Sequence, residues 1–107
     1  MVIDKRSHAH EVDHAIKFEL EFKAEARRNK LLGLWAAEKM ALSGDAAKAY
    51  AMDVIAADME DPGHDDVVRK VMKDFTEKGV AVDEDQLRRK MGELIKIARA
   101  EILAEND

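Results

Sequence analysis

Three short interruptions do most to limit what this chain can become. Ser43-Gly44-Asp45, Asp61-Pro62-Gly63 and residues 78–83, opening on Lys78-Gly79, divide the 107 residues into four stretches. Gly44 and Gly79 suit helix ends, where a left-handed residue closes the last turn. Pro62 has no backbone donor and pushes Asp61 out of helical geometry. Asp83-x-x-Gln86 has the spacing of a capping box, and Asp65 and Asp66 fall where a first helical turn favours negative charge.

The apolar spacing between the interruptions is helical. Leu87, Met91, Leu94, Ile95, Ala98 and Ile102 form one stripe in the last stretch. Val68, Val71, Met72 and Phe75 do so in the third, and Ala47, Tyr50, Val54 and Ala57 in the second. In the first, Leu31, Leu34 and Trp35 make the densest patch, with Leu32 and Met40 nearby. Only Val80-Ala81-Val82 looks briefly extended. Short links between amphipathic helices favour an all-α four-helix bundle around one core. A chain of this length makes one domain.

The first stretch is not uniform. Residues 1–23 are polar and thinly apolar, with Val12, Ile16 and Leu20 at four-residue steps and Phe18 and Phe22 on another face. Residues 24–107 hold the heavier apolar load. The expectation is a polar, mobile N-terminal helical arm on a four-helix domain. The arm reads equally as the first half of a long helix or as a segment that orders on a partner.

Several function classes are disfavoured. Eighteen Lys and Arg against 23 Asp and Glu give a formal charge of −5, which repels nucleic acid and anionic lipid. Without cysteine there is no disulfide and no thiolate nucleophile. Residues 31–37, the longest uncharged run, are far short of the ~20 that span a bilayer. Ser7, Ser43, Thr76 and Tyr50 are the whole hydroxyl inventory, and no phosphate-binding glycine loop occurs. The expectation is a cytoplasmic protein that is not an enzyme, does not bind nucleic acid and does not insert into a membrane.

Two groups of residues deserve weighing as sites. His10 and His14 lie one helical turn apart, and Glu11-x-x-His14 is half of a di-iron pattern. No second half accompanies it, so no metal site is expected. A pH response is the better reading, since neighbouring imidazoles repel once both are protonated. Arg27, Arg28 and Lys30 form a basic knot, echoed by Arg88, Arg89 and Lys90. Their neutralisation by Glu25, Glu38 and Glu93 is the favoured reading. The other is an anion or nucleotide contact through Arg27, Arg28, Lys30 and Arg89, with weak ATP or ADP binding and no resident cofactor.

The run Glu25-Ala26-Arg27-Arg28-Asn29-Lys30-Leu31-Leu32-Gly33-Leu34-Trp35-Ala36-Ala37-Glu38 is more specific than any of these. It resembles the signature block of the zeta subunit family, the ATPase inhibitor subunits of alphaproteobacterial F-type ATP synthases. Tyr50-Ala51, Val54, Asp58, Glu60, Gly63-His64-Asp65, Val67, Arg69-Lys70, Asp74, Gly79 and Arg88-Arg89-Lys90-Met91 extend the likeness. The resemblance implies a four-helix domain led by an inhibitory arm that enters the catalytic head, among its alpha, beta and gamma subunits, and stops hydrolytic rotation. It also implies a location peripheral to the inner membrane, through the synthase. Ile3, Arg6, Ala9, His10, Glu11, His14 and Ala15 are then the expected partner contacts. Inhibitory relatives resemble Arg-Glu-x-Ala-Phe-Glu-x-Lys-Phe-Ala in this region. Here Arg6, Ala9, Glu11 and Ala15 match, whereas His10 and His14 replace the phenylalanines and Asp13 replaces the lysine. Each buried phenylalanine is worth roughly 1.5–3 kcal/mol, so the replacements imply weaker docking or docking by neutral histidines. A family member that binds without inhibiting is the further alternative.

Overall fold

The computed structural model describes the backbone of residues 2–60 and 63–106, and the side chains of residues 18–60 and 63–105. Four helices occupy them: α1 (Val2–Lys39), α2 (Gly44–Glu60), α3 (His64–Lys78) and α4 (Glu84–Asn106). No strand occurs among the described residues, and the 80–83 link is irregular. The expected all-α bundle is present, and α1 runs unbroken from Val2 to Lys39. Asp61 and Pro62, which centre the second interruption, lie outside the described residues.

The helix ends follow from local chemistry. Asp83 Oδ1 accepts from the Gln86 amide at 2.8 Å, and Gln86 Oε1 accepts from the Asp83 amide at 3.0 Å, completing the capping box. Gly79 closes α3 at φ 69°, and the Val80 amide donates to the Phe75 carbonyl at 2.9 Å. At the end of α1 the left-handed residue is Ala41, at φ 62°, rather than Gly44. The Leu42 amide donates to the Ala37 carbonyl at 2.8 Å and the Ala41 amide to the Glu38 carbonyl at 3.1 Å. Leu42 then packs against the core, and that contact holds the strained closure in place. Gly44, also at positive φ, instead opens α2.

α1 is the spine of the bundle, packed by both α2 and α4. The main core gathers Leu32, Ala36, Ala37 and Met40 of α1 with Tyr50 and Val54 of α2, Val67, Val68, Val71 and Phe75 of α3, and Leu87, Met91 and Leu94 of α4. A satellite cluster of Ala24, Ala98 and Ile102, with Leu20 alongside, fastens α1 to the end of α4. Leu32, and none of the Leu31–Leu34–Trp35 patch, is the largest fully buried side chain among the described residues of α1. Helices on two faces of α1 widen its buried arc, leaving Leu31 half-buried between the two clusters. Trp35 stands at the core edge, T-shaped to Phe75 at 5.9 Å, with Lys39 and Lys90 over its ring. Where α1 crosses α2, a Cβ at Gly33 would lie 2.5 Å from the Ala51 Cα, so only glycine lets the backbones come this close.

Candidate functional site

One turn before that crossing, the same side of α1 carries a polar anchor. Arg28 and Asn29 are 2% and 1% exposed, in the middle of a helix-packed interior. Arg28 donates twice to Asn29 Oδ1, from Nε at 3.1 Å and Nη2 at 2.9 Å. Asn29 Nδ2 donates to Asp58 Oδ2 at 2.8 Å, linking α1 to α2. Arg28 Nη1 reaches His64 Nδ1 at 2.7 Å, linking α1 to the start of α3. A guanidinium only donates, so Nδ1 is the accepting nitrogen of that imidazole. Burial weakens the Arg28 guanidinium's hold on its proton, and the charges of Asp58, Glu25 and Glu21 oppose that effect. No buried side-chain N or O among the described residues lacks a partner.

Beside this anchor, α1, α3 and α4 enclose an open cleft of about 260 Å³. Arg28, Arg88 and Arg99 bring positive charge to its lining, beside His64 and against one carboxylate, Glu21. Arg99 grips Glu21 with bonds of 2.6–3.2 Å, and Arg88 donates to Asp65 at 2.9 Å and Glu84 at 3.1 Å. The Arg99 hydrogen bond holds the Glu21 carboxyl below the usual carboxylate range, and the Arg88 hydrogen bond does the same for Asp65. Three guanidiniums converging on one cleft can hold a phosphate through charge-assisted bonds.

The basic knots of the sequence do not stay together. Arg28 and Arg88 share the cleft, whereas Arg27 and Lys30 line a different hollow, with Phe22, Ala26 and Ile55. Arg27 is held by Glu101 at 2.9 Å and Glu105 at 2.8 Å, residues of α4 that lie far away in sequence. Arg89 is exposed and outside the cleft lining. Of the expected neutralising carboxylates, Glu93 pairs with Lys90 at 3.4 Å; Glu25 acts on Arg28 only through its charge, and Glu38 is exposed. The side chains of Ile3, Arg6, Ala9, His10, Glu11, His14 and Ala15 lie outside those described; their backbone belongs to α1. Among the described residues no group of three or more histidines and carboxylates is placed for a metal, and no helix is long and apolar enough to cross a membrane.

Asn29, Glu21 and Arg99 escaped the sequence reading. For Asn29 a signal existed: it interrupts the stripe Ala26–Asn29–Gly33–Ala36–Met40, and a polar residue on a buried stripe demands partners. The Glu21–Arg99 pair spans 78 positions, and no local pattern marks it.

With the geometry in hand, comparisons with known proteins are informative. The model of the family described as ATPase inhibitor subunit zeta matches residues 1–101. No curated protein matches the chain. Among solved structures, one titled as the solution NMR structure of a protein is 49% identical, with a TM-score of 0.70, over 80% of this chain and 98% of its own.

Proposed function

The chain belongs to the ATPase inhibitor subunit zeta family, and from that premise we propose that it binds the catalytic head of the F-type ATP synthase and restrains ATP hydrolysis through the leading half of α1. The observation that carries this reading is the asymmetry of α1. It is 38 residues long, against 23 for α4, the longest of the other three helices. A helix that much longer than the ones it packs against has length to spare for a partner. Residues 2–17 enter the head at the interface of its alpha, beta and gamma subunits, with Ile3, Arg6, Ala9, His10, Glu11, His14 and Ala15 as contacts. The bundle keeps the arm at high local concentration once it has docked. A helix laid into a groove gains contacts in proportion to its apolar face. The subunit itself catalyses nothing, and its place is cytoplasmic, at the inner membrane through the synthase.

The test is a titration of ATPase particles with the full chain and with a form lacking the first twenty residues, at two pH values. Inhibition by the full chain alone supports the arm; equal inhibition by both removes it from the mechanism, and no binding by either removes the partner. Inhibition that falls on acidification assigns the docked state to neutral histidines.

A second reading is favoured by the cleft. Arg28, Arg88, Arg99 and His64 form a site for the phosphates of an adenine nucleotide, bound weakly as a signal of energy state. Amide shifts on adding ATP that cluster at these four residues support it. Shifts centred on Arg27, Lys30 and Arg89 would return the contact to the knot read from sequence, and unmoved spectra at millimolar nucleotide would end both.

A further inference from the structure

On the side of α1 away from the cleft, two hollows share a seam of Phe22, Ala26 and Ile55. The larger, about 470 Å³, is edged by Lys23, Arg27, Lys30 and Glu105, and the smaller, about 150 Å³, by Glu25 and Asp58. Apolar side chains stand out along this seam: Phe22 is 64% exposed, Met59 72%, and Phe18, one turn before Phe22, 74%. A concentration of bare aromatic and thioether surface marks an interaction site on a small protein. Three cations against one carboxylate line the larger hollow and two carboxylates the smaller, so the seam divides a net basic strip from an acidic one.

That division of charge identifies the occupant. A two-fold axis along the seam lays the basic strip of one copy over the acidic strip of the other, twice. An axis across the seam would set like charge on like and cost binding. We infer that this face pairs with a second copy of the chain, seam to seam, with the two α1 helices parallel and both N-terminal halves at the same end. Nothing in this pairing depends on inhibition of an ATPase. The patch is small, so the pair is weak and forms at micromolar to millimolar protein. Lys30, exposed at the rim, faces the partner's acidic strip, and Phe22 packs at the centre, where truncation costs most.

Sedimentation equilibrium of the full chain from about 10 μM to 1 mM measures the pairing directly. A dimer is expected that Phe22→Glu weakens at least tenfold, with far-UV circular dichroism showing the variant folded. Lys30→Glu and Glu25→Lys each weaken it by about two- to fivefold, and the double variant Lys30→Glu/Glu25→Lys recovers most of the loss. Because the chain has no cysteine, Phe18→Cys gives a single reporter: parallel pairing brings the two thiols together, and oxidation crosslinks them. A chain monomeric to 1 mM overturns the inference, as does a dimer indifferent to Phe22→Glu. Failure of the double variant to recover, or a Phe18→Cys dimer that does not crosslink, overturns the seam-to-seam geometry. A monomeric wild type whose Phe22→Glu variant loses ATPase inhibition assigns the face to the catalytic head instead.

Discussion

Ala41 holds a left-handed turn that its own side chain disfavours. The Cβ of an L-residue at φ 62° crowds the following carbonyl, a cost of about 1–2 kcal/mol that glycine avoids. Because Ala41 is exposed and its amide already makes the closing bond, Ala41→Gly should stabilise the protein by about 0.5–1 kcal/mol, read as a higher urea midpoint at unchanged slope. Asn29 presents the opposite case. Among the described residues it is the only bonded oxygen acceptor for the buried Arg28 guanidinium, and its amide supplies the direct link to Asp58. Asn29→Ala should cost about 2–4 kcal/mol, because a desolvated cation is left with His64 alone. A loss under 1 kcal/mol in urea unfolding would mean that water replaces the amide without penalty.

Among the elements, α1 and α4 share the most consequential contact. Glu21–Arg99, Arg27 with Glu101 and Glu105, and the Ala24–Ala98–Ile102 cluster fasten the last turns of α4 to α1 just behind its leading half. Since the Glu21 carboxyl titrates below its ordinary value of about 4.3, its contribution is complete above that pH and is lost as the pH falls through the lower folded value. Acid titration by NMR should show Leu20 and Ala24 amides moving together with Arg99, and Glu21→Gln should flatten that response. The elements themselves were legible: the interruptions, the capping box and the α3 and α4 stripes all act over a few residues, the range a sequence pattern reports. The working side of α1 was less so. A helix packed on two faces has a buried arc too broad for one stripe to define, and this is why Leu32 is fully buried while Leu31 and Trp35 are only half-buried. The cleft was less legible still. Arg28 and Arg88 stood out as parts of basic runs, but their company with Arg99 and Glu21 depends on how α4 returns along α1.

At the scale of the whole molecule, the function we propose sets the body and the leading half of α1 different requirements: the body buries its apolar stripes, and residues 2–17 offer theirs to a partner. Under the proposed function, His10→Phe/His14→Phe should lower the concentration needed for half-maximal ATPase inhibition by at least tenfold, since each ring adds roughly 1.5–3 kcal/mol of burial if docked. An unchanged titration would show that these positions do not touch the head. The two requirements can also be watched separately, thanks to Trp35. It is the chain's single tryptophan, and it stands against Phe75 at the core edge between Lys39 and Lys90. Intrinsic indole fluorescence is therefore a private channel on the bundle: its emission follows loosening around α3 and stays dark to events at the far tip of α1. A colour change on meeting a partner would report that the message had travelled the length of the helix.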